Sequence, residues 1–173
     1  MTPISPKEKM ELLKHYVYSV IIQHEDMHTK NLSLIYDKDL VFFAPLYDVS
    51  CTGIYDTSKG YDSHLTINGK QSNIRPNDFK ALCKILKIDF KEFKEEAFKI
   101  AKLYEIELPS YIEEIKALGS IPFYKKKQKP RIGEGAYLKV SKIPIEFHEL
   151  LSKFHKERVE HLKALGWIIN ESL

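Results

Sequence analysis

Residues 22–48 read "IQHEDMHTKNLSLIYDKDLVFFAPLYD", and two chemistries compete for them. His24, Glu25 and His28 fit H-E-x-x-H, in which two histidines one helical turn apart bind zinc and the glutamate acts as base on metal-bound water. Asp26 and Asn31 carry a different spacing: an aspartate, an asparagine five residues on, a stretch that reads as a hairpin, and then Asp48. Phosphoryl transfer uses those residue types. A carboxylate orients or deprotonates the attacking hydroxyl, and oxygen ligands hold Mg2+ against the phosphates. Lys30 adds a cation able to offset charge on the transferred group.

The flanking sequence weighs against zinc. "SPKEKMELLKHYVYSVII" has helical apolar spacing, with Ser5 as N-cap, Pro6 at the first helical position and Glu8 three residues after the cap. It predicts a helix over about 6–23, so the histidines fall at or beyond its end. Thr29 to Asn31 then lead into a strand, Asp26 puts a charge where a zinc helix packs apolar residues, and the other histidines supply no H-x-x-G-x-x-H extension. Leu32 to Tyr36 alternate, Asp37 to Asp39 make a turn, and Leu40 to Phe43 are apolar and β-prone, which predicts a hairpin ended by Pro45.

The rest of the chain reads as a helix-rich α+β protein. Residues 49–62 are loop-like, and "HLTINGKQSNI" holds a short strand with an Asn68-Gly69 turn. Three apolar stripes follow: Phe79 to Leu86, Phe90 to Tyr104, and Tyr111 to Leu118, closed by Gly119. Each reads as core. Residues 120–143 look irregular, and a last helix is expected from Pro144 to Gly166.

At 173 residues and 43% hydrophobic, the chain is the size of a single domain with a packed core, and its net charge of +3 neither demands nor excludes nucleic acid. Cys51 and Cys83 are too few and too far apart for a disulfide framework or a cysteine zinc site. No apolar run reaches a membrane span and the N-terminus lacks a signal core, so a soluble cytoplasmic protein is expected. The basic run Lys125-Lys126-Lys127 with Lys129-Pro130-Arg131 reads as a solvated loop, with a phosphate or acidic partner as the alternative.

The stretch "DMHTKNLSLIYDKDLVFFAPLYDVSCT" resembles the C-terminal lobe of HipA-type serine/threonine kinases, the toxins of bacterial toxin–antitoxin systems. The pattern D-x-H-x-K-N-x-S, hairpin, L-x-P-x-Y-D is matched at Asp26, His28, Lys30, Asn31, Ser33, Pro45, Tyr47 and Asp48. The resemblance covers residue 8 to about 118 well and the remainder loosely. It implies a kinase-like C-terminal lobe in which the hairpin carries the active site. Asp26 would be the catalytic base, and Asn31 and Asp48 would hold Mg2+. His28, Thr29, Lys30, Asn31, Tyr47 and Asp48 would line the ATP site, with Tyr47 near the adenine end. Protein substrates, aminoacyl-tRNA synthetases among them, and a DNA-binding antitoxin partner are implied too, with no direct nucleic-acid binding by this chain.

Two departures stand out. Gln23 and His24 occupy positions where the family carries a Gly-Asn pair, and Glu25 adjoins Asp26, where like charge would raise the base's pKa if both pointed inward. Only 25 residues precede Asp26, with no Gly-rich phosphate loop among them, so the nucleotide-gripping N-terminal lobe is expected to be absent from this chain. Three readings follow: a catalytic lobe whose second lobe lies elsewhere, an inactive remnant that binds an antitoxin-like partner, and a small zinc hydrolase.

Overall fold

The computed structural model describes residues 4–38, 40–55, 58–127 and 141–169. Helix α1 spans Pro6–Ile22, its N-terminus capped by the Ser5 hydroxyl, which accepts from the Glu8 amide. The Glu8 carboxylate does not close a capping box. It accepts instead from the Phe43 amide at 2.7 Å and so pins the following hairpin to α1. Strands β1 (Leu34–Asp37) and β2 (Leu40–Phe43) pair antiparallel, Leu34 opposite Phe43 and Asp37 opposite Leu40.

A long connection leads to α2 (Lys80–Leu86). It contains the expected Asn68-Gly69 turn, both residues at positive φ, closed by an Ile67–Lys70 bridge and not by a longer strand. Asp78, just before α2, gathers Lys70, Asn68 and the Arg75 amide, which ties the turn to the start of the helices.

The second and third apolar stripes lie on one helix, α3 (Phe90–Ala117), which continues through Pro109. A proline inside a helix removes the amide that would bond the carbonyl four residues back, here Glu105. His155 of the last helix packs beside this point, its Nε2 3.2 Å from the Tyr104 carbonyl. Only part of the third stripe is core: Ile112 is buried, whereas Tyr111 and Leu118 are exposed.

Residues expected to be irregular contain a second antiparallel ribbon, β3 (Pro122–Lys127) with β4 (Ser141–Glu146). Pro122 opens its strand and Pro144 sits opposite Tyr124. In a two-stranded ribbon each strand is an edge, where a missing amide is tolerated. The basic run therefore begins in a strand, and its remainder, Lys129 to Arg131, lies outside the described residues. Helix α4 (Phe147–Leu165) starts three residues later than expected and ends at Gly166, φ 81°.

One cluster of buried side chains runs from Leu13, Val17 and Ile21 of α1 through Phe79, Phe93 and Ala97 to Leu162 and Trp167. Trp167 is fully buried, edge-on to Phe79, and its indole N–H donates to the Ile74 carbonyl at 2.7 Å. Among the described residues no helix is long and apolar enough to cross a membrane. The architecture is mixed α+β and dominated by helix. The core holds α1 against α3 and α4, so the segment after Ile22 leaves from a rigid base.

Candidate functional site

Helix α1 stops before the H-E-x-x-H histidines. Gln23 adopts the left-handed conformation, φ 58° and ψ 56°. The His24 amide bonds back to the Ser19 carbonyl at 2.9 Å and the Gln23 amide to Val20 at 3.3 Å, the pairing that ends helices when the residue after the last turn is left-handed. Glycine suits that position, and a side chain there costs about 1–2 kcal/mol. The conformation is held by Thr52, whose hydroxyl donates to the Gln23 carbonyl at 2.7 Å. Gly53 leaves room for the Gln23 side chain: a Cβ there would sit 2.4 Å from its Oε1 and 2.5 Å from the Phe154 ring.

With the helix ended, His24 and His28 are not neighbours on a helical face. The buried His24 Nε2 and His28 Nδ1 have no hydrogen-bond partner among the described residues, which is the one feature zinc would use. No three His, Cys, Asp or Glu side chains gather to hold a metal among those residues, and zinc requires at least three protein ligands. Neither observation among the described residues supports the zinc-hydrolase reading.

Asn31 and Asp48 are brought together from the two ends of the hairpin. The Asn31 Nδ2 donates to Asp48 Oδ2 at 2.8 Å. Asn31 is buried at the end of a 3-10 turn over Thr29–Asn31, and its Oδ1 accepts from the His28 amide at 3.0 Å. Its amide plane is thereby fixed by one contact on each side. Asp48 is exposed and has a positive φ of 53°, a conformation aspartate tolerates better than most residues. Tyr47 braces it: the phenol donates to the Lys30 carbonyl at 2.6 Å and lies 2.7 Å from the Ser33 hydroxyl. The Tyr47 ring is half-exposed, and Thr29 and Lys30 are exposed.

Asp26 faces a different opening. It lines a cleft of about 560 Å3 with Thr52, Tyr55, Lys59, Tyr61 and His64, and neither Asn31 nor Asp48 is among the lining residues. The structure therefore joins Asn31 to Asp48 but does not bring Asp26 into the same opening, although the Asp26 and Asp48 charges both act on the His24 imidazole. Burial outweighs those two charges and holds His24 below the ordinary imidazole range, so the ring is neutral at pH 7.

Glu25 does not crowd Asp26. It turns to the loop at 58–61 and accepts from the Ser58 hydroxyl (2.5 Å) and from the amides of Lys59, Gly60 and Tyr61 (2.9, 2.7 and 3.0 Å). Burial pushes its carboxyl up, but these four donors outweigh burial and hold it below its ordinary range. Nothing in the sequence around Glu25 signals this role, since the partners lie 33 to 36 residues away.

Hard oxygen donors such as an amide and a carboxylate suit Mg2+, which uses one or two protein ligands and completes its shell with phosphate oxygens and water. Asn31 and Asp48 are residues of those types side by side, with the Asn31 Nδ2 turned to Asp48 and its Oδ1 on the His28 amide, so holding Mg2+ requires the Asn31 oxygen to be presented beside the carboxylate. The HipA-like C-terminal domain matches residues 2–117. The chain belongs to that family. A solved structure from Shewanella oneidensis MR-1, the toxin–antitoxin system HipA with HipB and its operator DNA, shares the fold at a TM-score of 0.61 and 14% identity. The likeness covers 94% of this chain and 33% of that one, so this HipA-like domain spans about a third of its structural neighbour. No curated protein matches the chain. The structural likeness reaches past residue 117, into the ribbon and α4.

Proposed function

We propose that this HipA-like domain is the catalytic lobe of a serine/threonine protein kinase. In this reading Asn31 and Asp48 hold Mg2+ beside the ATP phosphates, and Asp26 takes the proton of the acceptor hydroxyl. The observation that carries it is the Asn31–Asp48 hydrogen bond, which unites two oxygen-bearing side chains seventeen residues apart at the base of one hairpin. Bound Mg2+ would neutralise charge on the phosphoryl group. Lys30 adds a positive charge at the same edge, and Tyr47 keeps Asp48 against the Lys30 backbone. The separate cleft in front of Asp26 suits the acceptor: a hydroxyl enters from that side, and the phosphates from the side of Asn31 and Asp48.

A second lobe completes the nucleotide site in this reading, supplied by polypeptide beyond these residues or by another chain. The exposed apolar side chains of the hairpin support it: Leu34, Ile35, Tyr36 and Leu40 face solvent beside the site, Tyr36 at 72% exposure. An antitoxin partner of the HipB kind and a protein substrate, such as an aminoacyl-tRNA synthetase, belong to the same proposal. The test is transfer of the ATP γ-phosphate to a protein hydroxyl, assayed with and without the product of the neighbouring reading frame. Asp26→Asn is expected to lower the rate by about 10²–10⁴-fold without lowering stability, since Asp26 is exposed. Transfer that survives Asp26→Asn unchanged refutes the assignment. No transfer in either mixture favours a partner-binding remnant.

A further inference from the structure

The last carbonyls of a helix have no partner within it. At the end of α1 two of them are met from the far end of the chain. The Arg158 Nε of α4 donates to the Ile21 carbonyl at 3.0 Å, and one terminal guanidinium nitrogen donates to the Val20 carbonyl. The other terminal nitrogen lies 2.8 Å from Asp62 Oδ1, and Asp62 Oδ2 accepts from the Ile74 amide at 3.0 Å. Arg158 and Asp62 are 5% and 2% exposed.

One guanidinium thus joins α4, the end of α1 and the segment at Asp62. That segment continues the loop that Glu25 holds at 58–61, and Ser63 bridges the His24 backbone. The stretch from Gln23 to Asn31 begins two residues beyond Ile21, the nearer of the two carbonyls that Arg158 occupies. We propose that Arg158 is a positioning residue for the Asp26–Asn31 segment, fixing the direction in which the chain leaves α1. It lies outside the residues that match the HipA-like domain family. The purpose of the positioning rests on the kinase reading above; the positioning itself does not.

Arginine suits this place because its planar fork serves three acceptors at once, and a cation at a helix C-terminus also meets the negative end of the helix dipole. Arg158→Lys keeps the charge beside Asp62 but has one ammonium for all three acceptors. In the full chain, this variant is expected to speed amide hydrogen exchange across residues 23–31 by about tenfold or more, while amides of α3 around Phe93–Ala101 change by less than about twofold. Equal acceleration in both places, the mark of general destabilisation, overturns the proposal, as does unchanged exchange across residues 23–31. Asp62→Asn supplies the second variant, and should Arg158→Lys not fold, the same regional contrast at about threefold is decisive. In the phosphotransfer assay Arg158→Lys is expected to lower kcat by about tenfold or more with the KM for ATP changed by less than about threefold. Unchanged kcat overturns the proposal. A wild-type chain that transfers no phosphate refutes the kinase reading instead, and the exchange contrast alone then decides the positioning role.

Discussion

The hairpin at 28–48 and the loop at 58–63 flank the same short segment, yet they are built on opposite terms. The hairpin side is exposed. Asp48, Tyr47, Lys30 and β1 face solvent, and the contacts that shape this side are individual hydrogen bonds, Asn31 to Asp48, Tyr47 to the Lys30 carbonyl and Phe43 to Glu8. The loop side is anchored inward: Glu25 collects four donors, and Asp62 sits with Arg158 in the interior. The neighbouring carboxylates Glu25 and Asp26 line one cleft on the loop side, and the loop saturates Glu25. Asp26 and Asp48 face outward, whereas Asp62 and Arg158, which tie the loop to α1, are buried.

That contrast breaks most sharply at Arg158. Arg158→Met keeps the bulk but strands the Asp62 carboxylate in the interior, so stability is expected to drop by about 3–5 kcal/mol. Removing an exposed charge on the hairpin side, as in Asp48→Asn, is expected to cost under about 1 kcal/mol. Urea unfolding of both variants measures the difference, and equal losses would dissolve the distinction between the two sides.

A smaller effect sharpens it through pH. The Glu25 carboxyl is held below its ordinary range in the fold, so its contribution is complete above the ordinary carboxylate range and is lost as pH falls through the lowered value. The amide proton resonances of Lys59, Gly60 and Tyr61 should therefore titrate together in that acid window. They should stay flat in Glu25→Gln. The smallest effect is at the pivot itself. Gln23→Gly relieves the left-handed strain and is expected to stabilise by about 1 kcal/mol, seen as a higher urea midpoint.

The parts of the molecule that the sequence makes legible are those with local signals. Helix α1 follows from Ser5, Pro6 and apolar spacing. The first hairpin follows from alternation around a polar turn, and the Asn68-Gly69 turn from two residues that accept positive φ. The joining of Asn31 to Asp48 was legible through the spacing and the family pattern together, since neither residue alone marks a site. The second ribbon was hidden because Pro122, Pro144 and a lysine run each argue against a strand, and only its edge position makes them tolerable. The continuity of α3 was hidden because Pro109 and Ser110 argue for a break that the helix does not make. Glu25 and Arg158 depend on partners far along the chain, and no local pattern announces such pairs.

The most direct measurement places a paramagnetic metal at the proposed site. Mn2+ stands in for Mg2+, and is titrated with ATP into the isotope-labelled chain while side-chain and backbone amide resonances are followed. Selective broadening of the Asn31 side-chain amide and of the backbone at 28–31 and 47–49, abolished by Asp48→Asn, is the predicted result. Broadening that ignores Asn31, or that persists in Asp48→Asn, would contradict a magnesium–phosphate site between these two residues.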